Sequence, residues 1–292
     1  MSNDRTAWRN VFIYDGSTGT SLGGVRQNGS ITEAVFLWML TYVLIPSNHA
    51  LRVISRTTQQ PLFPTNSPLR TGDYDVYSAA GNFTLTDEVP ASRIISHSVS
   101  GREESFRDDV RKRDQGCVLS GTKNTMASFG QWRGFEAAHI FPLEKELLWI
   151  KEDCQRWITD IDDERDTKIN SPQNGLLLRA DIHSLFDDYL VSVNPDDNYR
   201  ITAFNTDWAG LDGRILDPAC RDPAHPHRAC DELLRWHFRQ AVLANMKGPG
   251  EPIFEHDFPP GTDMVGEIRE GPKAQERFEL ELASRLYGHT TD

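Results

Sequence analysis

Over the first hundred positions, apolar residues come in short runs broken by Gly, Pro, Asn and Ser, the pattern of strands and turns. Val11-Phe12-Ile13-Tyr14, Leu51-Arg52-Val53-Ile54, Asp73-Tyr74-Asp75-Val76-Tyr77 and Asn82-Phe83-Thr84-Leu85-Thr86 are the expected strands. The longest apolar run, 34–45, is too short to span a bilayer and is expected as a buried core helix. The glycine-rich stretch 16–24 lacks the Lys-Ser/Thr that follows a phosphate loop, so it reads as a hairpin loop.

Beyond residue 105 the pattern changes. Phe135 to Phe141, closed by Pro142, is mostly apolar and predicts a strand with His139 near its end. Ser171-Pro172 signals a turn, and Asn174-Gly175-Leu176-Leu177-Leu178 predicts a second strand. Asp181-Ile182-His183-Ser184-Leu185-Phe186-Asp187 opens on a carboxylate and then spaces its apolar residues as a helix does. His183 and Asp187, four apart, share one face of that helix. Between the strands, Ile150, Cys154, Trp157, Ile158 and Ile161 recur at helical spacing, followed by a solvated acidic tail over 160–166.

After residue 204, positions 231–247 predict a helix ended by Gly248, with Leu234, His237, Phe238, Ala241 and Val242 along one stripe. Positions 276–287 predict another, with Phe278, Leu282 and Leu286 as its apolar face, and the Gly/Pro segments between suggest an extended arm. The expected class is α+β: a β-rich region over 1–100, a strand-strand-helix region over 101–204, and a helical extension over 205–292.

Composition narrows the function classes. The 292 residues, 38% hydrophobic, suffice for two or three compact units. The N-terminus shows no apolar signal region, and Cys117, Cys154, Cys220 and Cys230 are then expected as reduced thiols of an intracellular protein, in cytoplasm or nucleus, not associated with membrane. A net charge of −12 counts against tight nonspecific binding to nucleic acid. Arg102, Arg107, Arg111, Lys112 and Arg113 form a basic approach to the central region, but Glu103, Glu104, Asp108 and Asp109 interleave with them. A solvated, self-paired face explains most of these charges; Arg111 and Arg113 are the candidates for phosphate contact.

The central region carries the candidate chemistry. A neutral imidazole at His139 can take a proton from water as a general base. Asn174 offers one acceptor and two donors, able to cross-link the strands or orient His139. His183 and Asp187 are a natural pair of divalent-metal ligands. Singly these are a core histidine, a turn signal and an ordinary helix pair; their joint order and spacing carry the weight. A second cluster, Cys220, His225, His227 and Cys230, has zinc-binding chemistry, but its spacing is not that of a zinc finger and Pro218, Pro223 and Pro226 favour a bent loop.

His139, Asn174 and His183 resemble the three named positions of the HNH endonucleases, and Asp187 matches that family's further ligand. Arg113-Asp114-Gln115-Gly116-Cys117-Val118-Leu119-Ser120-Gly121 is similar to the lead-in of many HNH domains, and the whole chain resembles the multi-part HNH proteins of filamentous fungi. The resemblance implies a ββα-metal core, His139 as general base, Asn174 as the residue steadying the hairpin, and His183 with Asp187 on one divalent ion, whether Mg²⁺, Mn²⁺, Ni²⁺ or Zn²⁺. It implies a nucleic-acid substrate, expected to be DNA, cleaved to a 5′-phosphate and a 3′-hydroxyl. Ala138 departs from the pattern, since many members place a first ligand, Asp or His, immediately before the base. Glu136, three residues before His139, should point to the opposite face of the strand. A non-cleaving module that keeps the HNH scaffold to bind nucleic acid or protein is the competing class.

Overall fold

The computed structural model describes residues 5–46, 49–91, 93, 101–160, 167–250, 264–270 and 274. The chain opens on a four-stranded sheet built from β1 (Val11–Asp15), β2 (Ser21–Val25), β3 (Leu51–Ser55) and β4 (Gly72–Ser78), in the order β2-β1-β4-β3. The β1–β4 pair is parallel and the other two are antiparallel. Between β2 and β3 lies α1 (Glu33–Trp38), whose cap Thr32 accepts a hydrogen bond from the Val35 amide. The expected 34–45 helix is therefore present, but from Met39 to Leu44 it widens into a π-helical turn. Phe36, Met39, Leu40, Val43 and Leu44 bury its inner face against Val11, Ile13, Val53 and Val76.

Two expectations for this region change. The glycine-rich loop is shorter than expected, because Ser21–Val25 is itself a strand. Gly23 sits there at φ 138°, and a Cβ on it would collide with the Met246 carbonyl, so glycine lets the distant C-terminal helix close directly over β2. The segment 82–86 pairs with no strand. Its Thr86 amide instead caps the π-helical turn at the Leu44 carbonyl, while Phe83 and Leu85 pack on the same core.

The second half is organised around a hairpin. Helix α2 (Gly101–Asp114) leads to β5 (Phe135–His139); after α3 (Glu146–Lys151) the chain returns as β6 (Gly175–Arg179) and runs straight into α4 (Ala180–Asp187). β5 and β6 are antiparallel in unbroken register from Phe135↔Arg179 to His139↔Gly175. The hairpin is covered on both faces. Phe106 and Val110 of α2 pack against Leu177, with Phe135 and Ala137 alongside; Ala138, Leu176 and Leu178 face Ile182 and Phe186 of α4.

The single insertion helix expected from residue 150 onward is broken. α3 ends at Lys151, Asp153 takes a left-handed conformation (φ 51°), and Cys154–Trp157 forms a separate 3₁₀ turn. Trp149 rather than Ile150 is the buried anchor, with its indole N–H donating to the Thr167 carbonyl at 2.7 Å. The acidic tail lies outside the described residues beyond Asp160.

A small hairpin of β7 (Val191–Asn194) and β8 (Arg200–Ala203) follows α4. Then comes α5 (Asp231–Met246), whose limits agree closely with the sequence pattern. Its stripe is wider than expected. Leu233 and Leu234 join the hairpin core, whereas Phe238, Ala241, Val242 and Met246 join the N-terminal sheet, so one helix is buried in both. A short helix, Met264–Glu270, is the last regular element described; the helix expected over 276–287 and most of the arm before it lie outside the described residues. Strands and helices thus mix as an α+β chain, and no helix among the described residues is long and apolar enough to cross a membrane.

Candidate active site

His139 stands at the end of β5, where its ring lies flat against Phe106, centroids 3.9 Å apart and planes 5° from parallel. Gly175 makes this possible: a Cβ on it would fall 2.6–2.7 Å from Phe106 and Val110. The glycine of Asn174-Gly175 is therefore a packing requirement of the ring above it. Nε2 of His139 lies 3.1 Å from Oδ1 of Asn170. An amide oxygen only accepts, so Nε2 carries the proton and Nδ1 carries the lone pair. Burial, set against the Asn170 hydrogen bond and reinforced by the nearby positive Arg93, lowers the His139 pKa to about 4, leaving the ring neutral near pH 7.

Asn174 is fully buried, and the hydrogen bonds of its side chain go to Phe141 and Ile169, not to His139. Its Oδ1 accepts from the Phe141 amide at 2.8 Å, and its Nδ2 donates to the carbonyls of Phe141 at 3.1 Å and Ile169 at 2.9 Å. It ties the chain leaving β5 to the chain entering β6, which leaves the orienting of His139 to Asn170. Sequence reasoning missed Asn170 because the fold across a long insertion, not spacing, brings it to the imidazole.

His183 and Asp187 project from α4 with Nε2 and Oδ2 3.2 Å apart. The other ring nitrogen, Nδ1, donates to Oε2 of Glu136 at 2.7 Å. Alternation does place Glu136 and His139 on opposite faces of β5, but the Glu136 face is the one that carries α4. Glu136 therefore points away from His139, as the alternation predicts, and toward His183 of α4. With Nδ1 committed as donor, the facing Nε2 and Oδ2 are two acceptors, stable at 3.2 Å only with a cation between them, either a proton or a metal ion. Their separation suits two ligands of one ion, each about 2.0–2.2 Å from it, and Glu136 then orients the histidine as carboxylates commonly do behind a metal. Among the described residues, however, no three His, Cys, Asp or Glu side chains are grouped to hold an ion. Ala138 is fully buried between hairpin and α4, where an ionised ligand would have no water.

Asp187 has a second partner absent from the sequence argument. Nη2 of Arg93 lies 2.7 Å from its Oδ1, and the same guanidinium donates to the carbonyls of His139 at 2.6 Å and Ile140 at 2.8 Å.

The two basic candidates separate. Arg113 is buried and pairs with Asp114, Nε to Oδ1 at 2.6 Å and Nη2 to Oδ2 at 2.9 Å, while donating to the carbonyls of Pro172, His227 and Gly175. Asp114 in turn accepts from the Leu177 amide at 2.8 Å. The expected phosphate contact at Arg113 is thus corrected: this arginine staples β6 to its surroundings, because its donors are consumed by buried carbonyls. Arg111 is partly exposed, its guanidinium 5.1 Å from the centre of the Trp132 ring.

The second metal cluster does not assemble. Cys220 donates to the Asp217 carbonyl, Cys230 lies against Glu232 and the Trp157 carbonyl, and His227 lies 3.8 Å from Asp160. Burial raises both thiols, Cys230 to about 12, so neither offers a thiolate. All four cysteines are free and buried.

Comparison with known proteins bears on the same stretch of chain. Residues 117–194 match the family model described as HNH endonuclease. The HNH match spans β5, β6 and α4 with all of His139, Asn170, Asn174, His183 and Asp187, and supports nuclease activity of the hydrolase class. Residues 8–82, the N-terminal sheet with α1, match a model described as a domain of unknown function. No curated protein and no solved structure matches the chain. Phe106 and Arg93 lie outside the HNH match yet touch its His139.

Proposed function

We propose that this chain hydrolyses phosphodiester bonds in nucleic acid, DNA being the substrate to test first, with His139 as general base. The observation that carries the reading is the hydrogen bond from Nε2 of His139 to Asn170, on a ring flattened against Phe106. It leaves Nδ1 unprotonated and the ring fixed, the two requirements for taking a proton from an attacking water. Asn174 ties the chain leaving β5 to the chain entering β6.

His183 and Asp187 are the residues to hold a divalent ion (Mg²⁺, Mn²⁺, Ni²⁺ or Zn²⁺), with Glu136 orienting His183. Such an ion supplies positive charge for the scissile phosphate and the departing oxygen. Arg111, braced on Trp132 beside the α2 face of the hairpin, is the proposed backbone contact, with DNA held loosely as the net charge of −12 demands. Four free thiols support an intracellular location.

A second reading, a binding module that keeps the HNH scaffold without cleaving, is favoured by the Arg93–Asp187 ion pair together with Ala138. Plasmid nicking by the full chain across the four ions separates the two. His139→Ala should lower the rate by about 10²–10⁴-fold with the fold retained. Wild-type protein that binds DNA but nicks it with none of the ions, or a His139→Ala rate equal to wild type, would overturn the first reading.

A further inference from the structure

The guanidinium of Arg93 enters the site from outside the hairpin and its helix. The side chain is 4% exposed. Its Nη2 donates to the His139 carbonyl and lies 2.7 Å from Asp187 Oδ1 as an ion contact without hydrogen-bond geometry, its Nη1 donates to the Ile140 carbonyl, and the rings of Phe186 and Tyr189 flank it at 5.5 and 5.7 Å. A positive charge thus joins the last residue of β5 to the last residue of α4. A metal ligated from both hairpin and helix would make the same connection, but Ala138 has no donor to give from the hairpin side.

We propose that Arg93 is the resident cation of this site: it positions His139 and Asp187 without a metal, and its charge holds the divalent-ion affinity of His183 and Asp187 low. The inference rests on reading that pair as the ion-holding residues. Arg93 is a positioning residue and not a phosphate anchor. Both Nη atoms face protein oxygens, and Nε is buried without a partner. Burial opposes its charge, but Asp187, then Tyr189 and Glu144, outweigh it, so the guanidinium is a fixed cation at every working pH. In a water-poor setting a second cation on the same carboxylate meets strong repulsion. That repulsion vanishes when the charge is removed, and Asp187, left alone in a buried place, then needs another cation.

The test is Mn²⁺ binding to the full chain, followed by calorimetry and by the electron paramagnetic signal of free Mn²⁺, with wild type, Arg93→Gln and Arg93→Lys. Arg93→Gln, which keeps an amide donor for the carbonyls, should bind Mn²⁺ at least about tenfold more tightly than wild type. Arg93→Lys, which keeps the charge, should stay within about threefold. Adding His183→Ala should abolish the gain, and Mn²⁺ should raise the Tm of Arg93→Gln more than that of wild type. Binding by wild type with no tighter binding by Arg93→Gln overturns this inference and leaves the ion-holding pair standing. Absence of binding in both overturns the pair as well. An Arg93→Gln protein that is unfolded and is not restored by Mn²⁺ counts against the proposal equally.

Discussion

The Phe106 ring covers one face of the His139 imidazole at 3.9 Å, so a residue of α2 defines the environment of a base carried by β5. Phe106→Ala should therefore do two things at once. Loss of a fully buried aromatic costs about 3–5 kcal/mol by urea unfolding, and the freed imidazole should lose nicking activity beyond what the unfolded fraction explains. Phe106→Leu, keeping most of the volume, should recover stability but not the activity. Full activity in a folded Phe106→Leu protein would show that the stack serves packing alone.

The pH dependence of cleavage follows from the same burial. His139 acts as a base only when neutral, and its pKa is lowered to about 4, so the acidic limb of kcat/KM should lie near that value and not near 6.5. Asn170→Asp, placing a carboxylate on Nε2, should move the limb upward, and Asn170→Ala should lower the rate at all pH values by releasing the tautomer. A limb unmoved by Asn170→Asp would remove Asn170 from the site.

Stability should also fall in mild acid. His237 is fully buried, donates from Nε2 to the Phe186 carbonyl at 3.1 Å, accepts from the Ser192 hydroxyl at Nδ1, 2.7 Å, and stacks on Phe186. Burial, aided by the positive Arg93, holds its pKa well below 6.5. The unfolded chain therefore takes up the proton first, so the stabilisation is complete above about pH 6.5 and declines as pH falls below it. Urea midpoints measured from pH 7.5 downward should decline accordingly, with a flatter slope in His237→Gln.

Arg113 and Asp114 are predicted to matter for folding and not for substrate. Asp114→Asn strands a buried guanidinium and should cost about 3–5 kcal/mol in chemical unfolding. Arg111→Ala should leave stability within about 0.5 kcal/mol and weaken DNA binding with a shallower salt dependence. An Arg111→Ala protein with unchanged affinity and salt slope would exclude it from the interface.

Asn174→Ala removes the partners of three buried backbone groups around Phe141 and Ile169, each worth about 1–3 kcal/mol when left unpaired. It should abolish activity through loss of the fold, which circular dichroism will register, whereas Asn170→Ala should retain the native spectrum.

Much of the architecture was legible because it is written in local spacing. The strand ending at His139, the turn before Gly175, the helix pairing His183 with Asp187 and the helix from Asp231 all follow from periodicity and turn chemistry within a few residues. Where local pattern met tertiary competition it was less reliable: 82–86 alternates like a strand but spends its amide on the π-helical turn, and the insertion helix breaks at Asp153 because Trp149 takes the core position.

The sequence by itself determined which side chains could do chemistry and which pairs share a face, since one strand or one helix turn sets those distances. What surrounds these side chains was decided only by the tertiary structure. Phe106, Asn170 and Arg93 reach His139 from 33, 31 and 46 positions away, and Glu136 reaches His183 across 47. No repeat or spacing encodes such encounters. They arise because α2 and α4 pack on opposite faces of one hairpin while the segments carrying Arg93 and Asn170 close against its end, and those contacts determine the protonation of the base and the charge beside the helix carboxylate.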